Sequence, residues 1–327
     1  MLFIDNGNSN DPTQNLALEE YSLTAFDPDE TYLLFYINNP SIIIGKNQNT
    51  FEEVNLEYVN QHGIQVVRRL SGGGAVFHDT GNLNFSFITK NDADAFRNFQ
   101  RFTQPVVAAL KALGVDAELS GRNDIQVGDK KISGNAQFAT KGRMFSHGTL
   151  MFDVDLEMVT KALHVSAEKI ESKGIKSVRS RVANIREFMD KEMDIMEFRS
   201  LLLRYLFDGQ KVPLQPVTDE DWANVTNLAN KRYRNWDWNF GKSPEFNVER
   251  KKRFPIGTID IKMNVRDGII EECKIYGDFF GQGDLENVER QITGRRYDME
   301  ELRQAMSSVD LKHYFGNIAV DEFLTLF

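Results

Sequence analysis

The sequence predicts an α+β fold in which mixed or antiparallel sheets are flanked by helices, and three observations predict it. Apolar runs of strand length outnumber helical patterns, they follow one another along the chain, and they do not alternate one-for-one with helices as a doubly wound parallel sheet requires. The 327 residues are 41% hydrophobic and 27% charged, an ordinary globular composition that excludes disorder and collagen.

Taken in order, Asn15 to Tyr21 reads as helix, and Thr31 to Asn49 as two apolar strands around an Asn-Asn-Pro turn. Asn55 to Gly63 is a short helix closed by its glycine. Ile64 to Arg69 is a strand entering the cluster Gly72, Gly73 and Gly74, and Asn82 to Ile88 alternates like a strand leaving it. Phe96 to Gly114 has helical periodicity. Strands follow at Asp116 to Ser120, Asp124 to Ser133 and His147 to Val154, then a helix from Asp155. In the second half Met193 to Phe207 is helical, Lys211 to Asp221 is broken by prolines, and Tyr233 to Asn247 is rich in aromatics. Ile259, Ile261, Met263 and Val265 alternate strictly, and Arg266, Asp267 and Gly268 form a hairpin turn. Two amphipathic helical stretches complete a tail of small-module size. The expected division is therefore residues 1–246 and 247–327.

Acidic side chains outnumber basic ones, 48 to 39, for a net charge of −9. That balance argues against a protein whose main task is gripping nucleic acid, since phosphate neutralisation needs excess Lys and Arg. Cys273 is the only cysteine, so a disulfide, a cysteine zinc cage and a Cys-x-x-Cys redox pair are all excluded within the chain. The five histidines are scattered, with no pair at helical metal-binding spacing. Neither a signal peptide nor a membrane helix is legible, so the expectation is a cytoplasmic protein.

The densest chemical signal runs from Arg68 to Phe87. Three successive glycines let several backbone N–H groups point into one concavity, an anion-binding arrangement. Arg68 and Arg69 can add a guanidinium beside the same anion. The alternative is a flexible turn with two solvated arginines. Neither a P-loop nor Gly-x-Gly-x-x-Gly is present. A second signal is the hairpin from Gly121 to Gln137, whose Lys130 and Lys131 alternate to opposite faces, so that one can line a pocket. Asn123 and Asp124 offer oxygens to magnesium or a nucleotide hydroxyl, or simply form the turn. His147 opens an apolar strand. The basic stretch Lys173, Lys176, Arg179 and Arg181 stands out in an acidic chain, as a site for polyphosphate or an acidic surface, or as a solvated loop.

Together these pieces occur in one order: Arg-Arg-x-Ser-Gly-Gly-Gly-Ala-Val-Phe-His-Asp, Gly-Asn-Leu-Asn-Phe-Ser-Phe, Gly-Arg-Asn-Asp-Ile, Lys-Lys-Ile-Ser-Gly-Asn-Ala, His-Gly-Thr-Leu, and Lys-Ser-Val-Arg-Ser-Arg-Val-x-Asn. The set resembles the bacterial lipoate–protein ligases over nearly the whole chain, with Trp238 to Gly241 and Ser243-Pro244 similar to their C-terminal extension. The resemblance implies a catalytic domain related to biotin–protein ligases and class II aminoacyl-tRNA synthetases, followed by a small accessory domain. It implies ATP, Mg2+ and lipoic acid as ligands, a lipoyl-AMP intermediate, and transfer to a lysine of a carrier domain. The carriers would be the glycine-cleavage H protein or acyltransferase subunits of 2-oxoacid dehydrogenases, and the ligase a monomer. Carried over position by position, ATP contacts fall on Arg69, Gly74, Ala75, Val76, Phe77 and Lys131. Lipoate contacts fall on Lys131, Ser71, Gly72, Gly73, His78 and His147, and Ile42 to Gly45 would help line the acyl slot. Two rival readings are an ATP-independent acyl transferase and a non-catalytic binding protein. The first needs a thiol among the catalytic motifs, where Cys273 does not lie; the second predicts loss of Lys131 or of the glycines.

Overall fold

The computed structural model describes residues 1–92, 95–163, 181–240, 248–266 and 268–327. Lys173, Lys176, Arg179, Gly241, Ser243, Pro244 and Asp267 lie outside them. Two compact units emerge. The first is Met1–Ile44, Phe51–Arg69 and Ala75–Asn239; the second is Gly45–Thr50, Leu70–Gly74 and Phe240–Phe327.

The first unit is organised by β1 (Leu2–Asp5), β2 (Tyr32–Ile37), β6 (Asn82–Lys90), β7 (Ala117–Ser120), β8 (Asp124–Val127), β9 (Lys130–Thr140), β10 (Arg143–Met151) and β11 (Leu214–Gln215). They form one eight-stranded sheet in the order β11-β1-β2-β6-β10-β9-β8-β7. β1 runs parallel to β11 and β2, and the remaining pairs are antiparallel. The sheet is mixed, as the sequence predicts.

Alternation then sorts its side chains. Leu33, Phe35, Leu83, Phe85, Phe87, Met144 and Leu150 form a core with Phe102, Val106, Phe198 and Leu202 of the helices Phe99–Ala112 and Ile195–Leu206. The intervening residues include Ser86 opposite His147 and His147 opposite Ala136. Polar groups therefore sit on a sheet face that is also covered, here by the helix Pro12–Ala25. Burial of that kind requires hydrogen-bond partners or a ligand.

A smaller sheet joins β3 (Ser41–Ile44), β4 (Gln65–Arg68) and β5 (Val76–His78), with β3 central. Ile42, Ile44 and Phe77 build its own core with Val54, Val59, Ile64 and Val154. Two of the three isoleucines expected to line an acyl slot are thus committed to packing.

In the second unit β12 (Val248–Phe254), β13 (Gly257–Arg266) and β14 (Ile269–Gly277) form an antiparallel sheet. Ile259, Ile261 and Met263 line one core with the tail helices. Those helices number four among the described residues, Glu286–Ile292, Met299–Ser307, Leu311–Phe315 and Val320–Leu324, where two stretches were expected. The pattern is cut by aspartate caps at Asp298 and Asp310 and by Gly316 at φ +105°.

Two other boundaries differ from expectation for similar reasons. The first helix begins at Pro12 because the Asp11 carboxylate accepts the Thr13 N–H at 2.8 Å and proline suits the first turn. The helix Asp219–Leu228 starts inside the proline-broken stretch, where Thr218 and Asp221 form a capping box.

Candidate active site

Lys131 owes its direction to a β-bulge. Ile125 stands opposite Ser133 and Gln126 opposite Lys131, so Ile132 has no partner on β8. The extra residue shifts the alternation. Ile132 enters the core, while Lys131 shares a face with Gln126, Asp124 and Gly134. Its Nζ lies 2.8 Å from Asp124 Oδ1, both side chains being about one-third exposed. A Cβ on Gly134 would stand 3.1 Å from that Nζ, so the glycine makes room for the lysine to fold back along its own strand. The backbone of Lys131 also bonds the end of the basic stretch: its N–H donates to Arg181 O at 2.7 Å and its carbonyl accepts from Ala183 at 3.1 Å. Arg181 is therefore brought to the lysine by main-chain pairing.

Asn123 and Asp124 divide their work. Asn123 pins the hairpin, its Nδ2 donating to Asn135 O and its carbonyl accepting from Asn135 N at 3.0 Å. Asp124 holds Lys131. Among the described residues no three His, Cys, Asp or Glu side chains cluster as a metal site.

A second group of polar residues is buried. The Glu19 carboxylate is 3.0 Å from His147 Nδ1, with side-chain exposures of 3% and 10%. Burial lowers the Arg69 guanidinium to about 10, against the opposing influence of Tyr36 and Glu19. It stays cationic at neutral pH and donates to Ile43 O at 3.0 Å. His78 is pushed down to about 3 by burial, by Arg69 and by His147. Arg69, His78, His147, Glu19 and Tyr36 are thereby one electrostatic neighbourhood. Alternation on β5 separates the remaining candidates: Phe77, with Ala75 against it, packs in the small core, while Val76 pairs with Ile43 and His78 with Ser41.

The glycine cluster belongs to the second unit. A Cβ on Gly72 would lie 2.4 Å from the carbonyl oxygen of Phe279, and one on Gly45 would lie 1.9 Å from that of Gly73. Gly73 itself has φ +90°. Lys46 N–H donates to Ser71 O at 2.9 Å. Ser71 to Gly73 are buried and Gly74 is exposed, with open space where its Cβ would be. Close packing thus demands Gly72, and backbone angle demands Gly73.

With this geometry in view, comparison with known proteins is decisive. The family described as Lipoyl protein ligase A/B catalytic domain matches residues 11–207, and that described as Bacterial lipoate protein ligase C-terminus matches residues 243–327. The chain belongs to the lipoate–protein ligase family. It is 60% identical to "Lipoate-protein ligase LplJ" of Bacillus subtilis, covering 100% of this chain and 99% of that protein. It is 56% identical to "Lipoate--protein ligase 1" of Staphylococcus aureus, over 100% and 99%. Among solved structures it is similar to P. falciparum LipL1 in complex with lipoate, with TM-score 0.78, 25% identity and coverage of 95% and 94%. A lipoate-protein ligase A bound with ATP gives TM-score 0.62 and 33% identity, covering 74% and 97%.

As a ligase, the chain holds Arg68 with two residues of the C-terminal-extension motif, Trp238 and Asn239, to which sequence reasoning assigned no role. Asn239 Oδ1 accepts the Arg68 N–H at 2.9 Å, and Trp238 Nε1 donates to Arg68 O at 2.8 Å. The Arg68 side chain in turn donates to the carbonyls of Trp238 and Asn239. Arg68 is thus a clamp, and Arg69 faces the buried group. Glu19 is another unassigned residue; one acid of the adjacent pair Glu19 and Glu20 in the first helix gives no signal of burial. No helix among the described residues is long and apolar enough to cross a membrane.

Proposed function

We propose that this ligase activates lipoate with ATP as lipoyl-AMP and passes the lipoyl group to a lysine of a carrier domain. One observation carries the reading: within a lipoate–protein ligase fold, the bulge at Ile132 turns Lys131 onto Asp124 and the space left by Gly134. In the first step a carboxylate oxygen of lipoate attacks the α-phosphorus of ATP, and the bond to pyrophosphate breaks. Two anions are pressed together, and Lys131 supplies the cation that stabilises them, with Arg69 as a second candidate cation. In the second step the carrier amine attacks the acyl carbon, AMP leaves, and the amine gives up its proton. Lys131 stabilises the oxyanion that develops on the acyl oxygen.

The remaining roles follow the same logic. Gly74, Ala75, Val76 and Phe77 contribute to nucleotide binding, and Ser71, Gly72, Gly73, His78 and His147 to lipoate binding. Magnesium would be held by the phosphates of ATP and by Asp124, the carboxylate paired with Lys131, and it would supply charge neutralisation at those phosphates. Residues 1–246 form the catalytic domain and 247–327 the accessory one, and the enzyme acts as a cytoplasmic monomer. The solved structure of an archaeal bipartite ligase and its E2 lipoyl domain, 34% identical, supports a lipoyl domain as acceptor; the glycine-cleavage H protein is the other candidate. Cys273 is buried in the second unit's core and its thiol is pushed far up by that burial, which disfavours a cysteine-based transferase.

The test is ATP–pyrophosphate exchange in the purified full chain. Exchange that depends on lipoate supports the proposal; acyl transfer without ATP supports the transferase instead. Neither activity would leave the chain a binding protein.

A further inference from the structure

A chain of buried amides leads from the start of the sequence to His78. Asn6, Asn15 and Asn38 are 4%, 1% and 0% exposed. Asn6 Nδ2 donates to Asn15 Oδ1 at 2.9 Å, Asn15 Nδ2 donates to Asn38 Oδ1 at 2.9 Å, and Asn38 Nδ2 lies 3.0 Å from His78 Nδ1.

The direction of this chain is fixed by two carbonyl contacts. Asn6 Nδ2 and Asn15 Nδ2 each also lie 2.9 Å from the backbone oxygen of Ser9. A carbonyl can only accept, so the nitrogen end of both amides is settled. Asn15 must therefore donate to Asn38, which turns the Asn38 nitrogen towards His78. Nδ1 of the ring is then the acceptor, and the ring proton sits on Nε2.

Nε2 is buried without a hydrogen-bond partner among the described residues. A buried N–H left unmatched keeps its full desolvation penalty, so this donor favours a ligand that brings an acceptor. Among the described residues Arg69 and His147 act directly on the charge of the ring, with Glu19 and Tyr36 in the same neighbourhood. A guanidinium and a neutral N–H in one buried electrostatic neighbourhood offer donors to oxygen anions.

We infer that Asn6, Asn15 and Asn38 are positioning residues that lock His78 as a neutral Nε2–H donor to a carboxylate oxygen of the acyl substrate. The inference rests on lipoate being that substrate. It accounts for three buried amides, one of them without exposure, on strand and helix ends where apolar side chains would pack at lower cost.

Full-length protein with 15N-labelled histidine rings reads the tautomer without turnover. The His78 proton is expected on Nε2 throughout about pH 5 to 8. Its Nε2–H resonance should move on adding lipoate and on adding octanoate, which shares the carboxylate and lacks the dithiolane. A proton on Nδ1 overturns the inference, as does a resonance that neither acid moves; movement with lipoate alone overturns the assignment to the carboxylate. Asn38→Asp can only accept, so the ring proton should transfer to Nδ1. The KM for lipoate should then rise about tenfold with a smaller change in kcat. An unchanged tautomer and KM in that variant also overturn it, and if the variant does not fold the wild-type resonances still decide. Loss of lipoate-dependent exchange in the wild type would count against the proposed function alone.

Discussion

The Lys131 corner and the Arg69 pocket lie in the same unit and solve opposite problems. Lys131 and Asp124 are about one-third exposed, so their ion pair contributes at most about 1 kcal/mol and is readily exchanged for another anion. Glu19, Arg69, His78 and His147 are 2%, 5%, 4% and 8% exposed, where separating charges or unpairing donors is expensive. On the proposed mechanism, the contrast teaches that the cation assigned to follow charge through two chemical steps is held loosely. The groups proposed to select and orient the substrate are held by the fold.

Removing the loose cation should therefore cost activity and little else. Lys131→Ala is expected to lower lipoate-dependent pyrophosphate exchange by about 10²–10³-fold, while urea unfolding changes by less than about 1 kcal/mol. Full exchange would refute the role of Lys131. A large loss of stability would break the contrast itself.

The buried side should behave in reverse. Glu19→Gln leaves Arg69 without its nearby negative charge and His147 without a charged acceptor, and should destabilise the chain by about 3 kcal/mol in urea. A change below 1 kcal/mol would mean that the pocket is wetter than its exposures state.

The same pocket predicts a pH dependence. His78 is held near 3 in the fold against an ordinary 6.5. As pH falls below 6.5 the unfolded chain binds a proton that the folded ring refuses, so stability is lost with falling pH until about 3. At pH 5 the loss from this one residue is about 2 kcal/mol. Unfolding curves at pH 7 and 5 should differ by about that much less in His78→Gln than in the wild type; parallel losses would show a ring that titrates normally.

How far the sequence discloses these two regions follows from the range of the contacts involved. The sheet class, the Lys130 hairpin and the tail meander are legible because period-two alternation and turn glycines act over a few residues. The helix at Asp219–Leu228 hides behind prolines, since its capping box is a three-residue signal. The buried pocket is hardly legible. His147 meets Glu19 across 128 residues, and Asn38 meets His78 across 40, and no local pattern encodes either meeting. The glycines divide in the same way: Gly73 is required by its own φ, but Gly72 only by the carbonyl of Phe279, 207 positions later in the sequence.

Gly134 offers the finest probe of the contrast, because it lies on the same strand as Lys131 and faces the lysine rather than the core. A methyl group there would stand 3.1 Å from Nζ and 3.3 Å from Cε. The neighbour that must yield is the far end of a flexible side chain, so Gly134→Ala should leave urea stability within about 0.5 kcal/mol. The lysine, however, must move by a few tenths of an ångström away from Asp124. A misplaced cation stabilises developing charge less well, so kcat for exchange should fall by about three- to tenfold while the KM for ATP stays near its original value. Asp124→Asn separates the two causes of such a loss. It removes the charge that draws Nζ to its place and leaves the space untouched, so a similar fall in kcat in both variants means that position decides the rate. If Gly134→Ala is fully active and Asp124→Asn is not, the carboxylate acts on the nucleotide or its magnesium directly, and the glycine is there for the strand alone.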